Sequence, residues 1–217
     1  VRAVLELGLK TLVAYLLGSV IGGLVVGRLR GGVDIRKVGS GNAGGTNALR
    51  TQGLGFAAWV MFIDVGKGLL AVTLLPKLAL PWTEAGPTID REWLTAACAA
   101  AVVVGHVYPV WFEFRGGKGA ATLIGVLAGI QPIALVPVLV VWLVTVMLSG
   151  YVGLSTIVGA LAYPAYLLAT VVPLPVAQFT FGVAAALCVC YTHRSNLSRM
   201  WSGTENRARR LWLLRPR

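Results

Sequence analysis

Long apolar runs separated by short polar stretches set the pattern of this chain. The first, residues 7–26, carries Gly18, Ser19, Gly22 and Gly23, small residues that suit close helix packing in a bilayer. It is too long and too glycine-rich for a removable signal peptide, and no small-residue cleavage site ends it. Further runs cover residues 53–75 and 93–114. Residues 120–130 are apolar too, but as a helix they reach only about 17 Å, short for a full crossing. Gln131 and Pro132 mark a turn, and residues 132–148, 152–171 and 176–191 read as three more spans. The pattern predicts an all-α integral membrane protein with seven membrane helices in a compact bundle, the fourth short or partly re-entrant. Seven spans of about 20 residues use most of a 217-residue chain. Residues 1–217 are therefore expected to form a single polytopic domain, and a separate soluble catalytic domain is excluded.

Composition agrees, with 57% hydrophobic and 12% charged residues, the latter about half the roughly 25% of a soluble domain. The charge is one-sided: 19 basic residues against 8 acidic ones give +11. If Arg28, Arg30, Arg36, Lys37 and Arg50 lie in the cytoplasm, the seven-span count also puts Arg115 and Lys118 there. Arg194, Arg199, Arg207, Arg209, Arg210, Arg215 and Arg217 then follow, so fourteen of the 19 basic residues share one side, the positive-inside pattern. The N-terminus is then outside, the C-terminus cytoplasmic, and Glu84, Asp90 and Glu92 lie in an external loop. A five-span version keeps these sides only if the fourth segment and its neighbour form a re-entrant pair. The basic excess is explained by topology and anionic lipid. No zinc-finger spacing or RNA-binding aromatic signature supports nucleic acid as a partner. Cys98, Cys188 and Cys190 sit in apolar runs and read as small hydrophobes, not as metal ligands or a disulfide framework.

Three polar segments interrupt this pattern. In GVDIRKVGSGNAGGTNALR, residues 32–50, Gly39, Gly41, Gly44 and Gly45 surround Ser40, Asn42, Thr46 and Asn47. Backbone N–H groups and short donors can close around a small anion there, with charge from Arg36, Lys37 and Arg50. The run from Ala48 looks like a helix start whose N-terminus suits the same anion. The blander reading is a basic loop near lipid head groups. In GHVYPVWFEFRGGKGAAT, residues 105–122, Gly116, Gly117 and Gly119 frame Lys118 just before a helix. Ala120 and Ala121 stand where a Walker A motif has Ser or Thr, which argues against nucleotide hydrolysis. Arg115 and Lys118 suit a substrate phosphate, although a snorkelling lysine at a helix start explains GGKG equally well. His106 reads either as a structural hydrogen bonder or as a substrate contact. In YTHRSNLSRMWSGTENR, residues 191–207, His193 and Asn196 share a helix face. They suit orienting a hydroxyl, accepting its proton, or capping a helix; Glu205 reads first as structural. Asp64 and Lys67, three apart inside the second span, read as a packing ion pair ahead of a functional one.

Together GSGNAGGTNALR, GHVYPVWFEFRGGKGAAT and THRSNLSRMWSGTENR, with DVGKG at residues 64–68, resemble the bacterial membrane acyl-phosphate:glycerol-3-phosphate acyltransferase family, in order and across nearly the whole chain. The resemblance implies a seven-helix core in the bacterial inner membrane with its active site open to the cytoplasm. It implies no metal, nucleotide or other cofactor, and acyl phosphate in place of acyl-CoA or acyl carrier protein. The family's working residues correspond to Ser40, Arg50, Lys118, His193 and Asn196, its phosphate-binding glycines to Gly116, Gly117 and Gly119, and a structurally important glutamate to Glu205. Departures are mild: Gly45 stands where Ala is usual, Arg28 where Lys is usual, and Ile21 where Pro is common.

The expected reaction moves a fatty acyl group to the 1-hydroxyl of sn-glycerol 3-phosphate, giving lysophosphatidate and phosphate. Catalytic candidates are Ser40, Arg50, Lys118, His193 and Asn196. Substrate contacts are expected at Gly39, Gly41, Asn42, Thr46, Asn47, His106, Arg115, Gly116, Gly117 and Gly119. The expected partners are the two phosphate substrates and membrane lipids; a monomeric chain suffices. A small phosphate or phosphoester transporter is the rival, but transporters typically place charge near the midplane and repeat their halves. A structural membrane protein leaves the three glycine-rich polar clusters unexplained.

Overall fold

The computed structural model describes residues 1–80 and 89–214. Glu84 of the expected external loop and Arg215 and Arg217 of the basic tail lie outside the described residues. The architecture is all-α and divides into two compact units, Val1–Ile130 and Gln131–Arg217.

In the first unit α1 (Arg2–Gly18) leads into α2 (Gly22–Leu29) across a 48° bend. The apolar run reads as one span, and within it the backbone opens at residues 19–21. A broken helix leaves carbonyl and amide groups without intrahelical partners, which in an apolar bundle must be paired by other elements. Lys67, on α4 (Leu54–Thr73), supplies this pairing by donating to Gly18 O at 2.9 Å and Val20 O at 2.6 Å. Asp64, also on α4, accepts from Gly22 N at 3.1 Å. The short α3 (Gly45–Gln52) precedes α4, and α5 (Arg91–Val107) follows, its first turn capped by Asp90, which accepts from Glu92 N and Trp93 N. The expected fourth segment is α6 (Ala120–Ile130), 11 residues.

Glycines set how closely these helices approach. A methyl group at Gly18 would overlap the Val102 carbonyl and one at Gly105 the Tyr15 carbonyl, so α1 and α5 meet backbone to backbone. Gly68 against Thr122 and Gly125 against Val65 do the same for α4 and α6. Such seams associate helices without a hydrophobic driving force, through close van der Waals contact. At the far end of α1, buried Glu6 and Lys10 pair at 2.7 Å, and Lys10 and Arg91 both donate to Pro76 O. Arg91 also reaches Glu6 at 3.3 Å.

The second unit consists of α7 (Leu135–Ser149), α8 (Val152–Thr170), α9 (Val176–Thr192) and α10 (Arg194–Trp201). α7 packs against α8 and α8 against α9. α9 and α10 meet at a 50° bend on His193. Val136, Leu139, Val140, Leu143 and Val144 of α7 are exposed, an outer apolar surface that requires lipid. Among the described residues four helices are long and apolar enough to cross a membrane, or up to six if each bent pair is one span. The chain is thus a multi-pass all-α membrane bundle.

Candidate active site

Two of the three polar segments meet in the first unit. Residues 32–44 fold against α2: a methyl group at Gly23 would strike the Ala43 carbonyl, and Ala43 is buried with Ile21, Leu24 and Phe112. Phe112 belongs to the second segment, so this small apolar cluster carries both loops. Arg36 reinforces the junction. Its guanidinium forms a two-pronged pair with Asp34, Nε to Oδ1 at 3.0 Å and Nη2 to Oδ2 at 2.9 Å. Nη1 donates to Phe112 O and Arg115 O, each at 3.1 Å. Between those carbonyls Glu113 and Phe114 hold left-handed backbone, φ 59° and 56°. Two consecutive non-glycine residues cost about 1–3 kcal/mol each in that region and persist only where surroundings dictate them. The Arg36 guanidinium beside Asp34 holds that carboxyl below the usual carboxylate range, and Asp34 in turn raises Arg36. Sequence reasoning treated Arg36 as a source of positive charge; only the fold shows it neutralised and used as a tie between loops.

Asn47 organises the first loop. Buried at the start of α3, its Nδ2 lies 2.9–3.0 Å from the carbonyls of Ile35, Val38 and Asn42, while its Oδ1 accepts from Ser40 N at 2.9 Å. Its amide therefore shapes the turn that presents Ser40. Gly39 follows the same logic, since its φ of 62° and the Asn47 amide against its α-carbon leave no room for a side chain. Ser40, Gly41, Thr46 and Arg50 are exposed, and Asn42 is half-buried. The helix start expected near Ala48 is α3, beginning at Gly45.

In the second loop the Gly116 and Gly117 amides donate to Val107 O at 3.1 Å and His106 O at 3.0 Å, holding the loop to the end of α5. Gly119 turns the chain with φ 89°, and α6 begins one residue later, so Lys118 stands at a helix N-terminus, a place suited to phosphate. Lys118 is half-buried and Arg115 exposed. His106, by contrast, is buried beneath the loop, with its ring against Gly117.

His193 and Asn196 belong to the second unit. The His193 Nδ1 lies 2.9 Å from Val189 O, and because a carbonyl only accepts, Nδ1 is the donor in that contact. Asn196 Nδ2 donates to Glu205 Oε1 at 2.6 Å, and Arg199 Nε donates to the other carboxylate oxygen at 2.6 Å. Glu205 thereby folds the chain after α10 back on that helix, the structural role read from sequence. Gly153 at the start of α8 brings its α-carbon against the Asn196 side chain. Beyond, Arg207 lies over Tyr151 and Trp212, and Ala208 N donates to Gly150 O at 2.7 Å. Among the described residues no group of three or more His, Cys, Asp or Glu side chains could hold a metal ion.

A protein-family model, glycerol-3-phosphate acyltransferase, matches residues 9–203. This chain belongs to that family. A glycerol-3-phosphate acyltransferase of Chlorobium limicola is 36% identical over 219 residues, covering 90% of this chain and 93% of its own length. That of Synechococcus elongatus is 41% identical over 196 residues, covering 90% and 91%. The crystal structure of PlsY (YgiH), an integral membrane glycerol 3-phosphate acyltransferase in its glycerol 3-phosphate form, superposes with a TM-score of 0.81 at 32% identity, over 93% of this chain and 94% of that one. The lysophosphatidic acid form of the same protein gives 0.80 at 30% identity.

Proposed function

We propose that this chain transfers a fatty acyl group from acyl phosphate to the 1-hydroxyl of sn-glycerol 3-phosphate, releasing lysophosphatidate and inorganic phosphate. Beside the family assignment, the observation that carries the reading is the junction of the two glycine-rich basic loops through Phe112 and Arg36. An acyl phosphate is already activated, so the protein chiefly has to align two anions and offset their repulsion. Arg50, Lys118 and Arg115 supply positive charge, and the loop amides with Ser40, Asn42 and Thr46 supply donors. Asn47 acts by holding Ser40 in place.

The acceptor hydroxyl oxygen attacks the acyl carbonyl carbon, the bond from that carbon to the phosphate oxygen breaks, and phosphate leaves with both bonding electrons. His193 and Asn196 hold glycerol phosphate. The hydroxyl proton goes to His193 as general base or to the leaving phosphate itself. Transfer is direct, with no acyl-Ser40 intermediate, because no carboxylate stands in the sequence as the third member of a Ser–His–acid triad. The family model's match to residues 9–203 supports reading the chain as one catalytic domain. It crosses the inner membrane seven times, N-terminus outside and C-terminus in the cytoplasm, with the loops on the cytoplasmic side.

Purified, detergent-solubilised protein with labelled glycerol 3-phosphate should form lysophosphatidate from acyl phosphate and none from acyl-CoA. Ser40→Ala and Lys118→Ala should both abolish it, and intact-mass measurement with acyl phosphate alone should show no acyl adduct. No product from either donor, with folded protein, would favour the transporter.

A further inference from the structure

We propose that His106 is a positioning residue for the phosphate loop: its imidazole, set between Gly117 and Asp64, fixes where residues 116–119 hold a substrate phosphate. The inference rests on the acyltransferase reading above. The Nε2 corner of the ring points edge-on at the loop, so that a methyl group on Gly117 would overlap Nε2 and stand 3.0 Å from Cε1 and 3.1 Å from Cδ2. The main chain of His106 grips the same loop, its carbonyl accepting from Gly117 N at 3.0 Å. The opposite edge faces α4, with Nδ1 3.5 Å from Asp64 Oδ1.

Two simpler roles do not account for this arrangement. Asp64 already has its cation, since Oδ1 pairs with Lys67 at 2.9 Å and accepts from Gly22 N at 3.1 Å. Nor does burial alone call for histidine, because His106 Nδ1 is buried with no hydrogen-bond partner, and an apolar side chain of similar size avoids that cost. Asp64 Oδ2 on α4 and Thr122 Oγ1 on α6 are likewise buried without partners. Uncommitted polar atoms on the helices around the loop leave the ring able to tighten onto Asp64 when an anion loads the loop; such contacts are commonly long before substrate binds. Through Asp64 and Lys67 the loop is also tied to the break between α1 and α2.

The test compares wild type, His106→Leu and His106→Asn in the purified full chain, reading KM for each phosphate substrate, kcat, and amide hydrogen exchange. His106→Leu should raise KM for the substrate that the loop holds by about tenfold to a hundredfold, the scale of a slight misplacement, with a smaller change in kcat. Exchange at the Gly116 and Gly117 amides should accelerate while the interiors of α4 and α5 stay protected. His106→Asn, which keeps a donor towards Asp64, should recover part of both effects. Unchanged KM and exchange in His106→Leu would overturn the proposal, as would faster exchange spread evenly over α4 and α5. If His106→Leu does not fold, the same two readouts on His106→Asn decide. Lack of turnover by folded wild type would instead defeat the acyltransferase reading, and exchange at Gly116 and Gly117 with and without inorganic phosphate would still decide the role of His106.

Discussion

Arg36 and Asn47 illustrate how polar side chains of the two loops work on backbone. Asn47 holds three carbonyls and one amide of its own loop, so Asn47→Leu should leave several buried polar groups unpaired. A loss of about 3 kcal/mol is expected on that basis, visible as a lower melting temperature together with loss of acyl transfer. The Asp34–Arg36 pair has a pH signature. Asp34 has its carboxyl lowered by the Arg36 hydrogen bond, so its contribution is fully present above the unfolded carboxylate pKa. It is lost as pH falls through the lower folded value. Thermal stability should therefore be insensitive to this pair from pH 5 to 8 and fall below about pH 4. Asp34→Asn should cost about 1 kcal/mol at pH 7, the scale of a partly exposed pair, and remove that part of the acid decline. Melting curves across pH for both proteins check it.

At the scale of elements, glycine decides which helices touch. Gly125 lies so close to α4 that a larger residue must push the helices apart, whereas Gly66 on α4 has nothing within 4 Å of where a methyl group would stand. Gly125→Val should cost about 1–3 kcal/mol or more through overpacking. Gly66→Ala should be neutral or slightly stabilising, since alanine is the better helix former. Size-exclusion profiles and melting temperatures in detergent distinguish the two. The bend between α1 and α2 belongs to this scale as well. Gly18, Ser19, Gly22 and Gly23 permit a bend there, but hydropathy does not register it, because the partners of the opened backbone are Lys67 and Asp64, more than 40 residues away.

For the whole molecule, the fate of α6 determines which side the C-terminus occupies. At 11 residues it is short for a crossing. If it crosses, the chain has seven spans and the basic tail lies with the first two loops; if it returns, the tail lies opposite. In a background with Cys98, Cys188 and Cys190 replaced by alanine, single cysteines at Arg30 and Arg210 should resist a membrane-impermeant thiol reagent in intact cells, while one at Asp90 should react. Labelling of Arg210→Cys from outside would remove the seven-span topology.

Apolar run length and lysine and arginine placement were sufficient to predict a multi-pass helical bundle, and glycine-rich basic segments marked the loops that meet in the first unit. Those features are local: desolvation requires long apolar helices, and an anion requires donors on backbone that can curve. The helix break, the Arg36 tie, the burial of His106 and the clip that Glu205 places on α10 are of another kind. Each depends on a hydrogen bond or contact between groups remote in the chain, or across a turn that hydropathy does not register, as with the 79 residues between Arg36 and Arg115. A residue's type states which bonds it can make; only the packed structure decides which partner lies within 3 Å of it.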